Sequence, residues 1–438
     1  MLRLLGFLVC LVWIGSAYAQ DTDIQVNSDR LQRNMRALAE LDEAPKETKR
    51  IAVTETTLNG RAFIMSLMRE AGLKVWVDYA GNIVGTRAGW NPANKPISIG
   101  SRMNTMKEQG DYEGYISSLA AVEVIQTFMD HDIFTDHPLE IIIFTDEEDG
   151  ISGSQAVLGD YDNESLKSVN ARGITREEGI IELGGDPKKL DKLVRPKGAM
   201  AAFVELHADP IGILERNNID IGVVDRIIDK RSWDIRITGL PTHAGITGTE
   251  LRNETLMAAS NLYIKLKEIT GSYDSRPIGL LSDPVQAEKN PEGRVTMNAT
   301  LSISDSSIER INEIYMLLKQ SSYDIAHQEG VEISFKQVMD DDTDGLIDPT
   351  LQRVIDNAAS TLGLSTRKVQ SGTEYDAGGI ASIAPTAMIF LPAAEASDLA
   401  FVDHQGGDDI ANGANVLLLT LLALDKELQK DEMPVGGN

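Results

Sequence analysis

At 438 residues the chain is long enough for two domains, each with its own core. Its formal charge is −26, from 67 acidic against 41 basic residues, and that surface repels phosphate backbones and anionic lipid, so no nucleic acid and no membrane surface is expected as a partner. The one cysteine, Cys10, lies in the first apolar run, so the remainder has no disulfide and any metal must be held by histidine and carboxylates.

The first 19 residues carry Arg3, an apolar run from Leu4 to Ile14, and then Ser16-Ala17-Tyr18-Ala19. This reads as a secretory signal with an Ala-x-Ala cleavage site, too short to span a bilayer, and it predicts a secreted or periplasmic mature protein. Asp21 to Asn27 is polar. Ser28 can cap a helix over Leu31–Leu41, and a second helix is expected over Gly60–Ala71, stopped by Gly72. Val75–Val77 and Asn82–Val84 predict a hairpin around Tyr79-Ala80-Gly81. Ile97 and Ile99 alternate as a strand that stops at Gly100-Ser101. A polar loop follows, then a helix with Leu119, Val122, Ile125 and Phe128 at helical spacing. Strand, loop and helix in that order place side chains at the carboxyl end of a strand in an open α/β sheet, where ligands usually sit. Leu139–Phe144, apolar apart from Glu140, is a strand ending at Asp146-Glu147-Glu148-Asp149, acids that repel one another unless a cation or solvent compensates. A further strand, Ala201–Leu206, ends at His207.

From about Asn218 the pattern changes. An alternating strand Trp233–Thr238 leads to a helix over Arg252–Ile269, strands Ile278–Leu281 and Val295–Ile303, a helix over Ile308–Gln328 and a strand Val331–Val338. The β-α-β-β-α-β order is that of a ferredoxin-like sandwich. Residues 218–343 are therefore expected as an inserted α+β domain, with the acidic run Asp340-Asp341-Asp342-Thr343-Asp344 as the return linker. A helix Thr350–Leu362, a strand Thr386–Leu391 and a helix Ile410–Leu428 complete the first domain, residues 20–217 and 344–438. His131, His137, His327 and His404 show no ligand spacing and are expected at the surface.

The segment after β-patterned Ile97–Ile99 reads Gly100-Ser101-Arg102-Met103-Asn104-Thr105, then Gly110-Asp111-Tyr112-Glu113-Gly114. With Ala80-Gly81-Asn82-Ile83-Val84-Gly85, Glu205-Leu206-His207 and Thr242-His243-Ala244-Gly245, it resembles the hydantoinase/carbamoylase-type zinc amidohydrolases. These are the N-carbamoyl-amino-acid hydrolases, ureidopropionase and allantoate amidohydrolase, within the aminoacylase/carboxypeptidase superfamily. The resemblance runs from about Leu31 to Leu428. It implies a zinc-exopeptidase-like α/β/α catalytic domain with an inserted ferredoxin-like α+β lid that also dimerises. A homodimer, a small amino-acid-like ligand and a zinc cofactor are implied with it. Carried over position by position, Glu147 is the general base, Glu148 and His207 are zinc ligands, and Glu113 is the bridging carboxylate. His243 polarises the scissile carbonyl, and Arg252, Asn290 and Asp376 belong to the substrate pocket.

The chain departs from the family pattern at several of these positions. Arg102 stands where the family has its first metal-binding histidine, and a guanidinium cannot ligate a metal because it stays protonated. Leu399 occupies the C-terminal histidine position on the ungapped reading, with Asp398 and His404 nearby. Asn104 replaces an orienting aspartate, Tyr375 a histidine, Ser302 a substrate-binding arginine, and Pro210 a substrate-contacting glutamine. The expectation is an exported amidohydrolase-family protein with its two-zinc site impaired or lost, in a binding or accessory role, with no metal bound in the limiting case. The alternative is an active metal-dependent hydrolase of linear amide or carbamoyl C–N bonds, using Glu113, Glu148 and His207 for metal and Glu147 as base. A cation at position 102 is expected to fork onto Glu113 or Glu148.

Overall fold

Eight runs of apolar and β-branched residues build one mixed sheet in the computed structural model, which describes residues 24–41, 55–102, 113–145, 153–161, 164–169, 173–209, 212–239, 254–273, 277–289, 294–341, 347–371, 375–392 and 406–432. In chain order the strands are β1 (Lys74–Val77), β2 (Ile83–Arg87), β3 (Ile97–Arg102), β4 (Leu139–Phe144), β5 (Ala202–Ala208) and β6 (Ile221–Arg226). A second unit contributes β7 (Asp229–Thr238), β8 (Ile278–Lys289), β9 (Val295–Asp305) and β10 (Glu332–Asp341), before β11 (Thr366–Gln370) and β12 (Thr386–Leu391) return to the first.

The larger sheet runs β1-β2-β4-β3-β5-β12-β6-β11. Strands β4, β3, β5 and β12 are parallel neighbours, and β4, β5 and β12 are buried along their whole length. Burial on both faces explains why Ile141–Phe144 reads as an unbroken apolar run and not as an alternation; Glu140, buried in the same strand, is held by the Arg195 guanidinium at 2.6 and 2.9 Å. β2 joins β4 and β6 joins β12 antiparallel. The four parallel strands therefore bring Arg102, Thr145, Asp209 and Pro392 to one edge, the position where open α/β sheets hold their ligands.

The helix Glu113–Asp130 packs on β3 and β5 and against the final helix Gly406–Glu432, burying Ile116, Leu119, Ile125 and Phe128. Glu123 sits buried in the middle of that helix. Arg30 satisfies it with a fork, Nε to Oε2 at 2.7 Å and Nη2 to Oε1 at 2.6 Å, and the Asn27 amide adds a bond of 2.9 Å. This charge-assisted clamp fastens the helix Ser28–Leu41 to its neighbour. The final helix is tied from the other side. Asp425 accepts the amides of Asp136 and His137 at 3.0 and 2.9 Å, and His137 Nδ1 lies 2.9 Å from the same carboxylate. His137, expected at the surface from its isolated spacing, is instead buried, because the loop before β4 is drawn onto this helix. No helix among the described residues is long and apolar enough to cross a membrane.

Near the start of the final helix, Asp409 is half-buried among Asp220, Asp408 and Glu215. Burial first, then these like charges, pushes its carboxyl up from 3.8 to about 6. A raised carboxyl weakens the fold wherever it must ionise, so the penalty is absent below about pH 4, grows up to about pH 6 and is complete above that. Asp409→Asn is expected to gain about 1 kcal/mol near neutral pH, after allowance for the solvent-screened half of the group. Urea unfolding of both proteins at several pH values checks this, with the gain shrinking as the pH falls toward about 4.

The second unit comprises Arg226–Gly345 with Gly372–Glu374. Its chain order is strand, helix, strand, strand, helix, strand, and its antiparallel sheet runs β10-β7-β9-β8, the split β-α-β arrangement. Alternation on β7 sends Trp233, Ile235 and Ile237 to one face. There they meet Leu262 and Leu266 of the helix Glu254–Gly271, and Ile311, Ile314 and Leu318 of the helix Ile308–Glu329. Ser307 caps the second helix by accepting the Arg310 amide, and Gly330, at φ 67°, ends it. The boundary expected at Asn218 is displaced. Strand β6 belongs to the larger sheet, with Val223 opposite Ile389 of β12. The polar Asn217-Asn218-Ile219-Asp220 looks like a linker but is a turn, with Asn218 at φ 51° and the Ile219 amide returning to the Leu214 carbonyl at 3.0 Å.

Candidate functional site

Arg102 closes β3, and its carbonyl accepts the Ser118 hydroxyl at 2.8 Å, which anchors the strand end to the helix behind it. Its Nε donates to one carboxylate oxygen of Asp376, and Ser154 Oγ donates to the other. Asp376 is buried at the start of the short helix Asp376–Ile380. The next amide, Ala377 N, donates to Glu205 Oε2 at 3.0 Å. Glu205 and His207 are two residues apart on β5, so they share one face of the strand. His207 Nε2 lies 3.8 Å from Glu205 Oε2, and the Tyr375 ring packs 4.5 Å from the imidazole.

Gly100 makes this packing possible. A Cβ there would lie 2.7 Å from Glu205 Cγ and would strike the Phe203 ring, so the side chains of β5 cross where β3 has none. The result is a buried cluster of two carboxylates, one guanidinium and one imidazole. Desolvation pushes Glu205 well above the usual carboxylate range; His207 and Arg102 oppose the shift and Asp376 adds to it. Glu205 Oε1 receives no hydrogen bond among the described residues.

Such a cluster can hold and orient a small polar molecule. Among the described residues no three histidine, cysteine, aspartate or glutamate side chains are disposed as a metal-ligand group; the Glu113 side chain, Glu147 and Glu148 lie outside them. The cation at the end of β3 is a guanidinium, which has donors only.

Of the residues singled out from the sequence, Arg102, His207, Tyr375 and Asp376 come together here. Ser302 is in the second unit, on β9, where its hydroxyl pairs with Ser232 Oγ at 2.9 Å. Asn104, Glu147, Glu148, Pro210, His243, Arg252, Asn290 and Leu399, and the side chain of Glu113, lie outside the described residues. The expected partners of Arg102, the Glu113 side chain and Glu148, lie outside the described residues; among the described residues Arg102 pairs with Asp376. Two members were missed. Glu205 had a usable signal, since period two places it beside His207. Ser154 had none, because its short helix shows no periodicity.

A mixed sheet whose parallel strands gather charged groups at their carboxyl ends defines an α/β protein with a cluster where such sheets hold their ligands. Residues 115–423 match Peptidase family M20/M25/M40, and the chain belongs to that family. It is 28% identical over 410 residues to an N-carbamoyl-L-amino acid amidohydrolase of Geobacillus stearothermophilus, covering 91% of this chain and 99% of that one. It is 29% identical over 418 residues to a ureidoglycolate hydrolase of Arabidopsis thaliana, covering 92% and 88%. A solved hydantoinase/carbamoylase family amidase from Burkholderia ambifaria matches with a TM-score of 0.76 and 27% identity, over 92% of this chain and 98% of that one. The fold is the α/β fold of this family, whose members generally depend on a divalent metal.

Proposed function

We propose that this chain is an exported member of the amidohydrolase branch of its family in which an arginine–aspartate pair has taken over from the two-zinc centre. Its pocket then holds a small amino-acid-like molecule in a binding or accessory role. The observation that carries the reading is the pairing of Arg102 with buried Asp376. A fixed guanidinium compensates the carboxylates of the pocket, so they need no metal to coexist, and it repels a divalent cation approaching the same space. Arg3, the apolar run after it and Ala17-Tyr18-Ala19 support export; they lie outside the described residues. Assembly as a homodimer through the unit Arg226–Gly345 belongs to the same reading. Leu256, Met257, Tyr263 and Ile264, exposed along one helix, support it.

The test is metal content after purification in zinc-supplemented buffer, together with turnover of N-carbamoyl-L-amino acids, allantoate and ureidoglycolate. Well under one zinc per chain and no turnover are expected. Two zincs per chain with turnover overturn the proposal. They would favour the alternative, an active hydrolase of linear amide or carbamoyl bonds with Glu147 as general base, for which the retained His207 speaks.

A further inference from the structure

The Asp78–Asn82 turn reads from the sequence as a hairpin turn and as part of a family-like phrase, and its bonds reach the site. Asp78 Oδ1 accepts the amides of Ala80 and Asn82, each at 2.9 Å, and Asp78 Oδ2 accepts Asn82 Nδ2 at 2.9 Å. Asn82 is thereby held in one orientation with no exposed surface. Its Oδ1 accepts the Thr145 amide at 2.9 Å and the Thr145 hydroxyl at 3.3 Å, and its Nδ2 also donates to the Gly153 carbonyl at 3.3 Å. Thr145 and Gly153 are themselves joined, Gly153 N to Thr145 O, at 2.9 Å. All the donor and acceptor capacity of the Asn82 amide is therefore spent on its own turn and on two backbone points far along the chain.

Those two points are where the chain leaves β4 and where it enters the helix Gly153–Leu158. The residue after Gly153 is Ser154, whose hydroxyl holds Asp376, which in turn holds Arg102. We infer that Asn82 is a positioning residue for the Arg102–Asp376 pair, acting through Gly153 and Ser154. Asn82 hydrogen-bonds to neither member of the pair; it sets where the helix begins, and hence where the serine hydroxyl meets the carboxylate. A side chain that merely filled this space would not be needed to bond both backbone points, whereas a planar amide with two donors and two acceptor lone pairs can span them.

The probe is the Arg102 Nε–H resonance in a ¹⁵N-edited spectrum of the full chain, identified by its loss in Arg102→Lys. In the parent protein it is expected apart from the exposed arginines and protected from exchange. In Asn82→Ala it is expected to move toward the exposed group and to exchange severalfold faster, with the backbone amide spectrum still that of a folded protein. Ser154→Ala should move the same resonance, since it cuts the last link. Leu31→Ala, a core truncation with no bond to the site, should lower stability and leave the resonance in place. If Asn82→Ala does not fold, Asn82→Ser replaces it, because the shorter hydroxyl cannot span both backbone points. An unmoved resonance in a folded Asn82 variant, or in Ser154→Ala, overturns the inference. Two zincs per chain in the purified protein would end the metal-free reading of the site by a separate measurement.

Discussion

Arg102→Met is expected to lower the stability of the folded chain by about 3–5 kcal/mol, the usual cost of stranding one member of a buried pair. The Asp376 side chain is 1% exposed and Arg102 26%, so the carboxylate has little water to fall back on once the guanidinium is gone. Ser154 Oγ remains as a donor to it, and one hydroxyl offsets about 1 kcal/mol of that loss. Arg102→Lys keeps the charge but loses the planar fork, and should fall between the two. The double variant Arg102→Met with Asp376→Leu should recover most of the loss, because apolar replacements of a buried pair are often neutral. Urea unfolding of the parent, Arg102→Met, Asp376→Leu and the double variant gives the cycle directly. Equal stability of parent and Arg102→Met would show that the pair is screened by solvent and contributes nothing.

Gly153→Ala should cost about 3 kcal/mol or more, combining overpacking with the stranding of a buried donor. A Cβ at Gly153 would overlap Asn82 Oδ1 and come within 2.8 Å of Asn82 Cγ and the Thr145 amide nitrogen. Asn82 cannot step aside, since every move breaks bonds to Asp78, Thr145 or Gly153. The contrast is Gly271→Ala, at the end of a helix with nothing within 4 Å of the added carbon, where a gain of a few tenths of a kcal/mol is expected. Parallel unfolding curves of the two variants check the difference. A cost below about 1 kcal/mol at Gly153 would mean that the turn yields.

How much of this was legible depended on whether a feature had local punctuation. Strand β12 was read to the residue because an unbroken apolar run lies between Pro385 and Pro392. Strand β4 follows Pro138 in the same way. β6 was lost because the polar turn before it imitates a linker, and its partner strand lies more than 150 residues later. At the site, the oddity of Arg102 was visible at once, since its neighbours keep a frame that calls for another residue. The carboxylate that answers it stands 274 residues away, and no spacing rule connects them. The Asn82 bonds were invisible for a different reason. Those that reach toward the site end on the backbone amide of Thr145 and the carbonyl of Gly153, and the backbone leaves no trace in the identities of the residues.

The strand order carries a consequence for synthesis. β1 to β5 occupy five adjacent places of the eight in the larger sheet and can pair as soon as they leave the ribosome. β6 emerges next, but both of its neighbours, β11 and β12, are made only after the whole second unit. Until then β6 has no partner and β5 presents a bare edge, the kind of edge that recruits strands from other nascent chains. The second unit has no such delay, because its four strands follow one another in sequence. A ribosome pausing between residues 345 and 366 would therefore expose the half-made sheet at its most adhesive, and a chaperone that covers the β5 edge would have its work to do in that interval.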